Sequence, residues 1–362
     1  MTTKIVVIGM GYVGIPCGAL LAEVDEFEVV GLQRRSKRSG WKIEALNSGK
    51  SPLEGDEPGL EELIAKVVAD GKFRATDDVS VLADADIILI DVQTPTDMLR
   101  APRYQSLREV SENIGNHIKK GTLVIVESTV APGTTENVVK KTIENVSGLK
   151  CGEDFDLAFS YERVMSGKLI KNIVYLPRVV GGTTERSVER AVEMYSKIVK
   201  EKIYTTSHTL TAELAKTVEN AYRDVNIAFA NEMALVCESL GENIFEIIDL
   251  INVLPTRNIH IPGAGVGGHC LPKDSWLLRH GLYEYGSWKV EPEFITLARR
   301  INDQMPIHMS NLVEDALLSQ GVPIEGARVT ILGVAYLENS DDTRNTPAAP
   351  LITALQSRGA EV

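Results

Sequence analysis

The chain has 362 residues, 44% hydrophobic and 24% charged, which is enough for two or three domains that each bury a core. Its net charge of −12 argues against nucleic acid or an anionic membrane as a partner of the whole chain. The four cysteines, Cys17, Cys151, Cys237 and Cys270, stand far apart with no CxxC pair. That excludes a disulfide scaffold and a zinc finger, and suits a reducing cytoplasm.

Residues 5–22, IVVIGMGYVGIPCGALLA, carry no charge over 18 positions, close to the length of a membrane span. Gly9, Gly11, Gly14, Gly18 and Pro16 interrupt the run, so a buried strand followed by a buried helix explains it better, in a soluble, unexported chain. KIVVIG, FEVVGL, ADIILID, GTLVIVEST, FDLAFS and PRVVGG are β-branched and apolar at nearly every position, as buried parallel strands are. Amphipathic stretches such as 57–70 and 183–199 lie between them. This alternation predicts an α/β fold, with a Rossmann-like doubly wound sheet over residues 1–205.

From His208 to Leu240 there is no Gly or Pro for 33 residues, and apolar positions recur at three and four. The pattern predicts one long helix, or two joined end to end, capped by Gly241. Helical segments near 243–251 and 292–320 extend a central all-α domain over 206–320, with GAGVGGHC in a loop between them. RVTILGVAYL (328–337) then reads as a fresh buried strand, followed by a helix at 347–358 and the first residues of another strand. Residues 321–362 are expected to be the incomplete start of a second Rossmann-like domain.

Gly9-Met10-Gly11-Tyr12-Val13-Gly14 follows the first strand and opens a helix. There, GxGxxG gives a tight turn, lets backbone amides approach a pyrophosphate, and sets a helix N-terminus against its charge. The second strand departs from the NAD pattern. Gln33, Arg34, Arg35, Lys37 and Arg38 stand where an acidic residue usually binds the ribose hydroxyls. Cations without a carboxylate favour a 2′-phosphate and hence NADP. A solvated basic loop explains them equally well, and Gln33 could bond a hydroxyl of NAD.

Thr129, in ESTVAPGTT, lies at the carboxyl end of a strand, where open α/β sheets bind ligands. The hydroxyls of that run could hold a ligand or simply cap the following helix. Glu162 and Arg163 follow another strand, at the same rim. Lys216 and Asn220 share a face of the long helix, although periodicity does not say whether that face is buried. Cys270 sits in a glycine-rich loop just before a helix start at Pro272, beside Lys273. Helix amides and a lysine are the surroundings that favour a thiolate. His269, its chain neighbour, is a less promising partner, because adjacent side chains rarely point at each other.

GMGYVG, LNSGKSPLEGDEPGLEELI, STVAPGTT, YERVMSGK, PRVVGG, AELAKTVENAYRDVNIAFANE, PGAGVGGHCLPKD and NSDDTRNTPA occur in one order along essentially the whole chain. In this the chain resembles the UDP-glucose/GDP-mannose dehydrogenase family. GGHC and YERVMSG resemble its branch acting on UDP-N-acetylhexosamines, N-acetylmannosamine especially. The long helix, rich in apolar residues such as Val225, Ile227 and Phe229, predicts a cytoplasmic homodimer packed on it. The resemblance implies oxidation of a UDP-sugar C6 alcohol to the acid by two hydride transfers to NAD, for polysaccharide or glycan precursors.

By the same resemblance, Cys270 forms a thiohemiacetal and then a thioester, and Lys216 with Asn220 stabilises the oxyanion. Asp274 and Thr129 hold a water, with Glu162 as base or water-orienting group. Thr94 and Pro95 join Gly9, Gly11, Tyr12, Val13, Gly14, Gln33, Arg34 and Thr129 as cofactor contacts. Arg163, Arg257, Gly267, His269 and Arg344 join Glu162, Lys216 and Asn220 as substrate contacts, and the glycines let Cys270 approach the sugar. No metal is implied. Gln33 in place of an acid, Leu337 in place of a lysine and the shortness of the third domain depart from the family pattern. The other readings are UDP-glucose oxidation, a 3-hydroxyacid dehydrogenase lacking a nucleophilic cysteine, or a dinucleotide-binding regulator or impaired truncated homologue.

Overall fold

A computed structural model of the chain describes residues 2–37, 39–338 and 342–362; Arg38, one of the cations after the second strand, lies outside them. The chain divides into two compact units, Met1–Lys216 with His280–Ser287, and Thr217–Arg279 with Trp288–Val362.

The first unit is built on eight strands: β1 Thr3–Ile8, β2 Phe27–Leu32, β3 Phe73–Thr76, β4 Ile87–Ile90, β5 Leu123–Val126, β6 Asp156–Phe159, β7 Arg178–Gly182 and β8 Ile203–Thr206. Their order across the sheet is β3-β2-β1-β4-β5-β6-β7-β8. Helices α1 Gly14–Ala22, α2 Trp41–Asn47, α3 Leu60–Ala69, α4 Gln105–His117, α5 Lys141–Ser147, α6 Leu169–Tyr175 and α7 Glu185–Tyr195 connect them. The chargeless run 5–22 resolves into β1 and a nine-residue buried helix. Among the described residues no helix is long and apolar enough to cross a membrane. Strand β1 lies between β2 and β4, so the strand order reverses there and leaves a crevice at the carboxyl ends. Ile5, Val7, Val29, Leu89 and Ile125 form one core with Ile15, Leu21 and Ile64 of the helices.

One strand runs against expectation. PRVVGG forms β7 as a buried strand, but it pairs antiparallel to β6, Phe159 opposite Gly181. Apolar composition reports burial on both faces and carries no information about direction. The consequence is local: antiparallel neighbours are joined at one end of the sheet, which keeps residues 160–177, with Glu162 and Arg163, at the ligand-binding rim.

The long helix is α8, Thr209–Leu240, with Gly241 beyond it at φ +76°. The second unit contains most of α8 together with α9 Ile244–Asn252, the first part of α10 Leu271–Tyr285, α11 Glu293–Ser319 and α12 Ala348–Ser357. Ala234 and Cys237 of α8 pack on Ile244 and Ile248 of α9. Deeper in, Arg299 Nη1 donates to Asp224 Oδ1 at 2.7 Å, and Asn302 Nδ2 donates to the same oxygen at 2.9 Å. The expected buried strand at 328–337 does not form. Arg328 makes a single parallel bridge to Glu361, and Leu332 is 91% exposed. A strand exists only as part of a ladder, and one paired residue does not make one.

Candidate active site

Strand β1 ends in the glycine loop. Gly9 has φ +108°, and a Cβ there would lie 2.4 Å from the Asp91 carbonyl oxygen; one on Gly14 would lie 2.1 Å from the Gly9 oxygen. Neither position admits another residue. A Cβ on Gly11 would meet nothing within 4 Å, so the loop is packed beneath and open above, at the N-terminus of α1. Tyr12 and Val13 complete it, half-buried. This is a cradle for a pyrophosphate, and the residues fit a dinucleotide.

The side chain of Gln33 is turned inward. Its Oε1 accepts from Met10 N at 3.0 Å, and its Nε2 donates to the Arg34 carbonyl and Ser39 Oγ. Arg34 faces Glu109 at 3.4 Å, while Arg35 binds Asp77 at 2.8 Å and Glu44 at 2.9 Å. Two of the cations expected to attract a phosphate, Arg34 and Arg35, are thus matched by carboxylates. The motif reading passed over Lys42, which is half-buried and donates from Nζ to the Met10 carbonyl at 3.0 Å, at the cradle itself. Its signal was a lone lysine on the apolar side of the helix after β2.

Beyond β5 the chain is held from several sides. Thr94 Oγ1, buried, donates to the Thr129 carbonyl at 2.5 Å, and Pro95 beside it is exposed. Ser128 Oγ donates to the carbonyls of Ile90 and Val92. The Ala131 amide donates to Tyr104 Oη at 2.8 Å. The amides that open the helical turn Thr135–Lys140, which runs on into α5, are capped by Glu213 of α8, which accepts from Gly133 N at 2.6 Å and Thr135 N at 2.8 Å. The hydroxyls of STVAPGTT do not serve as the caps. Thr129 itself is half-buried at the rim.

Beneath this loop, Glu127 accepts from Arg178, and from Tyr195 Oη at 2.7 Å, in a fully buried group. Arg178 Nε also donates to Ser160 Oγ at 2.8 Å, and its guanidinium lies 3.7 Å from the centre of the Tyr195 ring. Asp91 and Glu127 come directly after the paired ends of β4 and β5, Ile90 opposite Val126. Burial and then the Glu127 charge push the Asp91 carboxyl well above the usual range.

Lys216 and Glu162 come together. Lys216, 5% exposed, donates from Nζ to the Glu162 carbonyl at 2.8 Å and lies 3.9 Å from Oε1. Its ammonium is 5.3 Å from the Tyr161 ring centre, over which Arg163 is also placed. Glu162 Oε2 accepts from Val164 N, which fixes the carboxylate. The faces of α8 are now distinct: Lys216 and Thr217 are buried, Asn220 is half-buried, and Val218 and Tyr222 are exposed.

In the second unit, Cys270 is exposed immediately before α10, and its carbonyl accepts the amides of Lys273 and Asp274. Asp274, fully buried, accepts from Asn220 Nδ2 at 2.5 Å and lies 2.8 Å from Lys273 Nζ. The lysine expected to face the thiol is therefore matched to Asp274. Burial, with the charges of Lys273 and Arg344 adding to it, lowers the His269 pKa to about 4, so the imidazole is neutral at pH 7. Arg344 grips Asp342 through Nε and Nη2, and its carbonyl accepts from Gly268 N at 2.8 Å. Asn345 Nδ2 donates to the Gly268 carbonyl at 3.0 Å.

The glycines of this loop have a use other than approach to a sugar. A Cβ on Gly267 would lie 2.4 Å from Tyr336 Cβ, and one on Gly268 would lie 2.9 Å from the Tyr336 ring. They admit Tyr336, and at Gly267 also Pro347. Arg257 stands apart on an exposed turn, its Nη1 on Thr256. An open cleft of about 330 Å³, lined by Val266, Pro272, Arg299, Thr343 and Pro347 among others, borders the loop.

The chain is similar to known proteins. Residues 3–199 match the NAD binding domain of the UDP-glucose/GDP-mannose dehydrogenase family, and residues 210–304 its central domain. The chain belongs to that family. It is an NAD-dependent oxidoreductase of the nucleotide-sugar dehydrogenase type. A UDP-N-acetyl-D-mannosamine dehydrogenase of Pyrococcus horikoshii is 38% identical over 99% of this chain and 82% of its own length. One of Campylobacter jejuni is 36% identical over 99% and 84%. The crystal structure of an NDP-N-acetyl-D-galactosaminuronic acid dehydrogenase from Methanosarcina mazei Go1 is 44% identical, with TM-score 0.88, over 100% of this chain and 78% of that one. The family expectation drawn from the motifs, and the α/β class with its helical central region, are borne out.

Proposed function

We propose that this enzyme oxidises the C6 alcohol of a UDP-N-acetylhexosamine, UDP-N-acetylmannosamine foremost, to the uronic acid, through a covalent intermediate on Cys270. The observation that carries the reading is an exposed thiol at a helix N-terminus, four residues before a buried Asp274 that orients Asn220. The partial positive charge of a helix N-terminus favours a thiolate at that position.

Gly9, Gly11, Tyr12, Val13, Gly14 and Lys42 would hold NAD, with Thr94, Pro95 and Thr129 at the rim. Bound NAD supplies the hydride acceptor for each oxidation. The Cys270 sulfur adds to the C6 aldehyde, giving a thiohemiacetal whose oxidation leaves a thioester. Lys216, with the second Asn220 amide hydrogen, stabilises the oxyanion of each tetrahedral species. Water, held by Thr129 and Asp274 and deprotonated or oriented by Glu162, cleaves the thioester and returns the thiol. Neutral His269 offers an uncharged hydrogen-bonding group suited to an N-acetyl sugar. Arg344, Gly267, Arg163 and Arg257 are the remaining substrate contacts.

NAD is preferred to NADP in this reading, because Arg34 and Arg35 are already paired with carboxylates. The Methanosarcina protein's name makes a galacto-configured sugar the second reading. Both are tested by supplying UDP-N-acetylmannosamine, UDP-N-acetylgalactosamine, UDP-N-acetylglucosamine and UDP-glucose, each with NAD or NADP. The expected result is the highest kcat/KM with UDP-N-acetylmannosamine and NAD. Turnover of UDP-glucose alone would overturn the sugar assignment, and equal use of NADP the cofactor preference.

The same reading includes a homodimer on α8. Val218, Tyr222, Phe229 and Val236 are exposed at spacings of four, seven and seven, one narrow stripe of the helix. Of the residues expected there, Phe229 is exposed, while Val225 and Ile227 are half-buried. Light scattering should give twice the chain mass, and Phe229→Glu should reduce it; a monomeric parent protein would refute the dimer.

A further inference from the structure

We infer that Glu213 is a positioning residue for the reaction, a clamp that sets the Thr129 loop and the Lys216 helix in one register. This rests on the roles proposed above for Thr129 and Lys216. Glu213 is completely buried, and its two carboxylate oxygens accept from different backbone amides, Gly133 N at 2.6 Å and Thr135 N at 2.8 Å. Those amides belong to the segment that carries Thr129 and turns into the following helix. Gly133 has φ +93°, and the ring of Tyr285 lies where its Cβ would be, 2.6 Å from the nearest carbon, so the turn has little room to move.

On the other side of the clamp, Lys216 comes three residues later on α8, so the two side chains are near neighbours on the helix surface. Lys216 in turn donates to the Glu162 carbonyl at 2.8 Å. The chain of contacts runs from the Thr129 loop through Glu213 and one turn of α8 to the Glu162 segment, all within the first unit. Burial raises the Glu213 carboxyl pKa, and the bonds from Thr135 and Gly133 oppose that rise. A hydroxyl or amide cap would have served helix stability alone. A carboxylate that spans two amides from a different element fixes distance and angle together. Displacing a reacting group by about 1 Å can cost roughly 100-fold in rate.

Glu213→Gln preserves shape but presents one acceptor and an NH₂ to the same two donors, and Glu213→Ala presents none. Expected values are a kcat lowered about tenfold in Gln and about 100-fold in Ala, by the cost of misplacing a reacting group. The NADH dissociation constant, read by fluorescence, should change far less than kcat, because the glycine cradle is held by other contacts and only Thr129 at the rim is displaced. Graded recovery from Ala to Gln, with kcat moving much more than NADH binding, supports the clamp. A kcat within about twofold of the parent in both variants overturns it, as does a fall in kcat matched by the loss of NADH binding. Lys216→Ala separates the two levels of the argument. If it is inactive while both Glu213 variants are unaffected, the clamp is wrong; if it is fully active, the reading of Lys216 is wrong and the clamp falls with it.

Discussion

Cys270→Ala is expected to lower the rate of acid formation by roughly 1,000-fold or more, the scale on which losing a covalent nucleophile is felt. The side chain is exposed, so the melting temperature should stay within about 1 °C, as is usual for surface substitutions. Removing the thiol eliminates both the thiohemiacetal and the thioester, and the residues left behind have no substitute nucleophile in the same loop. The neighbouring His269 is neutral and largely enclosed, held by its burial and by the charges of Lys273 and Arg344. Full activity in the alanine variant would show that no bond to Cys270 forms.

Arg178→Met is expected to be the most destabilising single change in the sheet domain, by about 3–5 kcal/mol, the usual cost of leaving one partner of a buried ion pair unmatched. Arg178 and Glu127 are both almost wholly buried, and the Glu127 charge already acts on the buried Asp91 carboxyl. Without the guanidinium, Glu127 must take up a proton or remain as an uncompensated charge. Arg178→Met combined with Glu127→Leu should recover a large part of the loss, because apolar groups of similar volume often replace a buried pair without net cost. Urea unfolding followed by circular dichroism measures both variants. Strict additivity of the two substitutions would contradict the pairing.

How much of this could be read beforehand depended on the kind of interaction. Strands such as FEVVGL and GTLVIVEST were legible because burial on both faces leaves an unbroken apolar run. FRAT and IYTT were not, since β3 and β8 are four residues long and each exposes part of its length. The direction of β7 was hidden for a different reason, because strand polarity depends on where a connection returns. RVTILGVAYL has the composition of a strand, yet composition supplies no ladder partner. On α8 the spacing of Lys216 and Asn220 announced a shared face, and only packing decided that it is the inner one.

The site was legible where a motif carries its own chemistry, as in the glycine loop and the Cys270 loop. It was obscure where a function falls to a pair of residues far apart in the chain. Glu213 caps a helix about 80 positions upstream and Arg178 neutralises Glu127, with no local signal for either, and Lys42 reaches the Met10 carbonyl with only its place on α2 to mark it. The Gln33 side chain was misleading in the opposite sense, since its hydrogen-bonding groups are turned toward the protein.

The central claim is that one enzyme carries a sugar alcohol through two oxidations on a cysteine. It is tested most directly by the amount of NADH formed per UDP-N-acetylmannosamine consumed, with the sugar product identified by mass. The account predicts two NADH per sugar and a uronic acid, with no aldehyde accumulating. One NADH per sugar, with the aldehyde released, would contradict it.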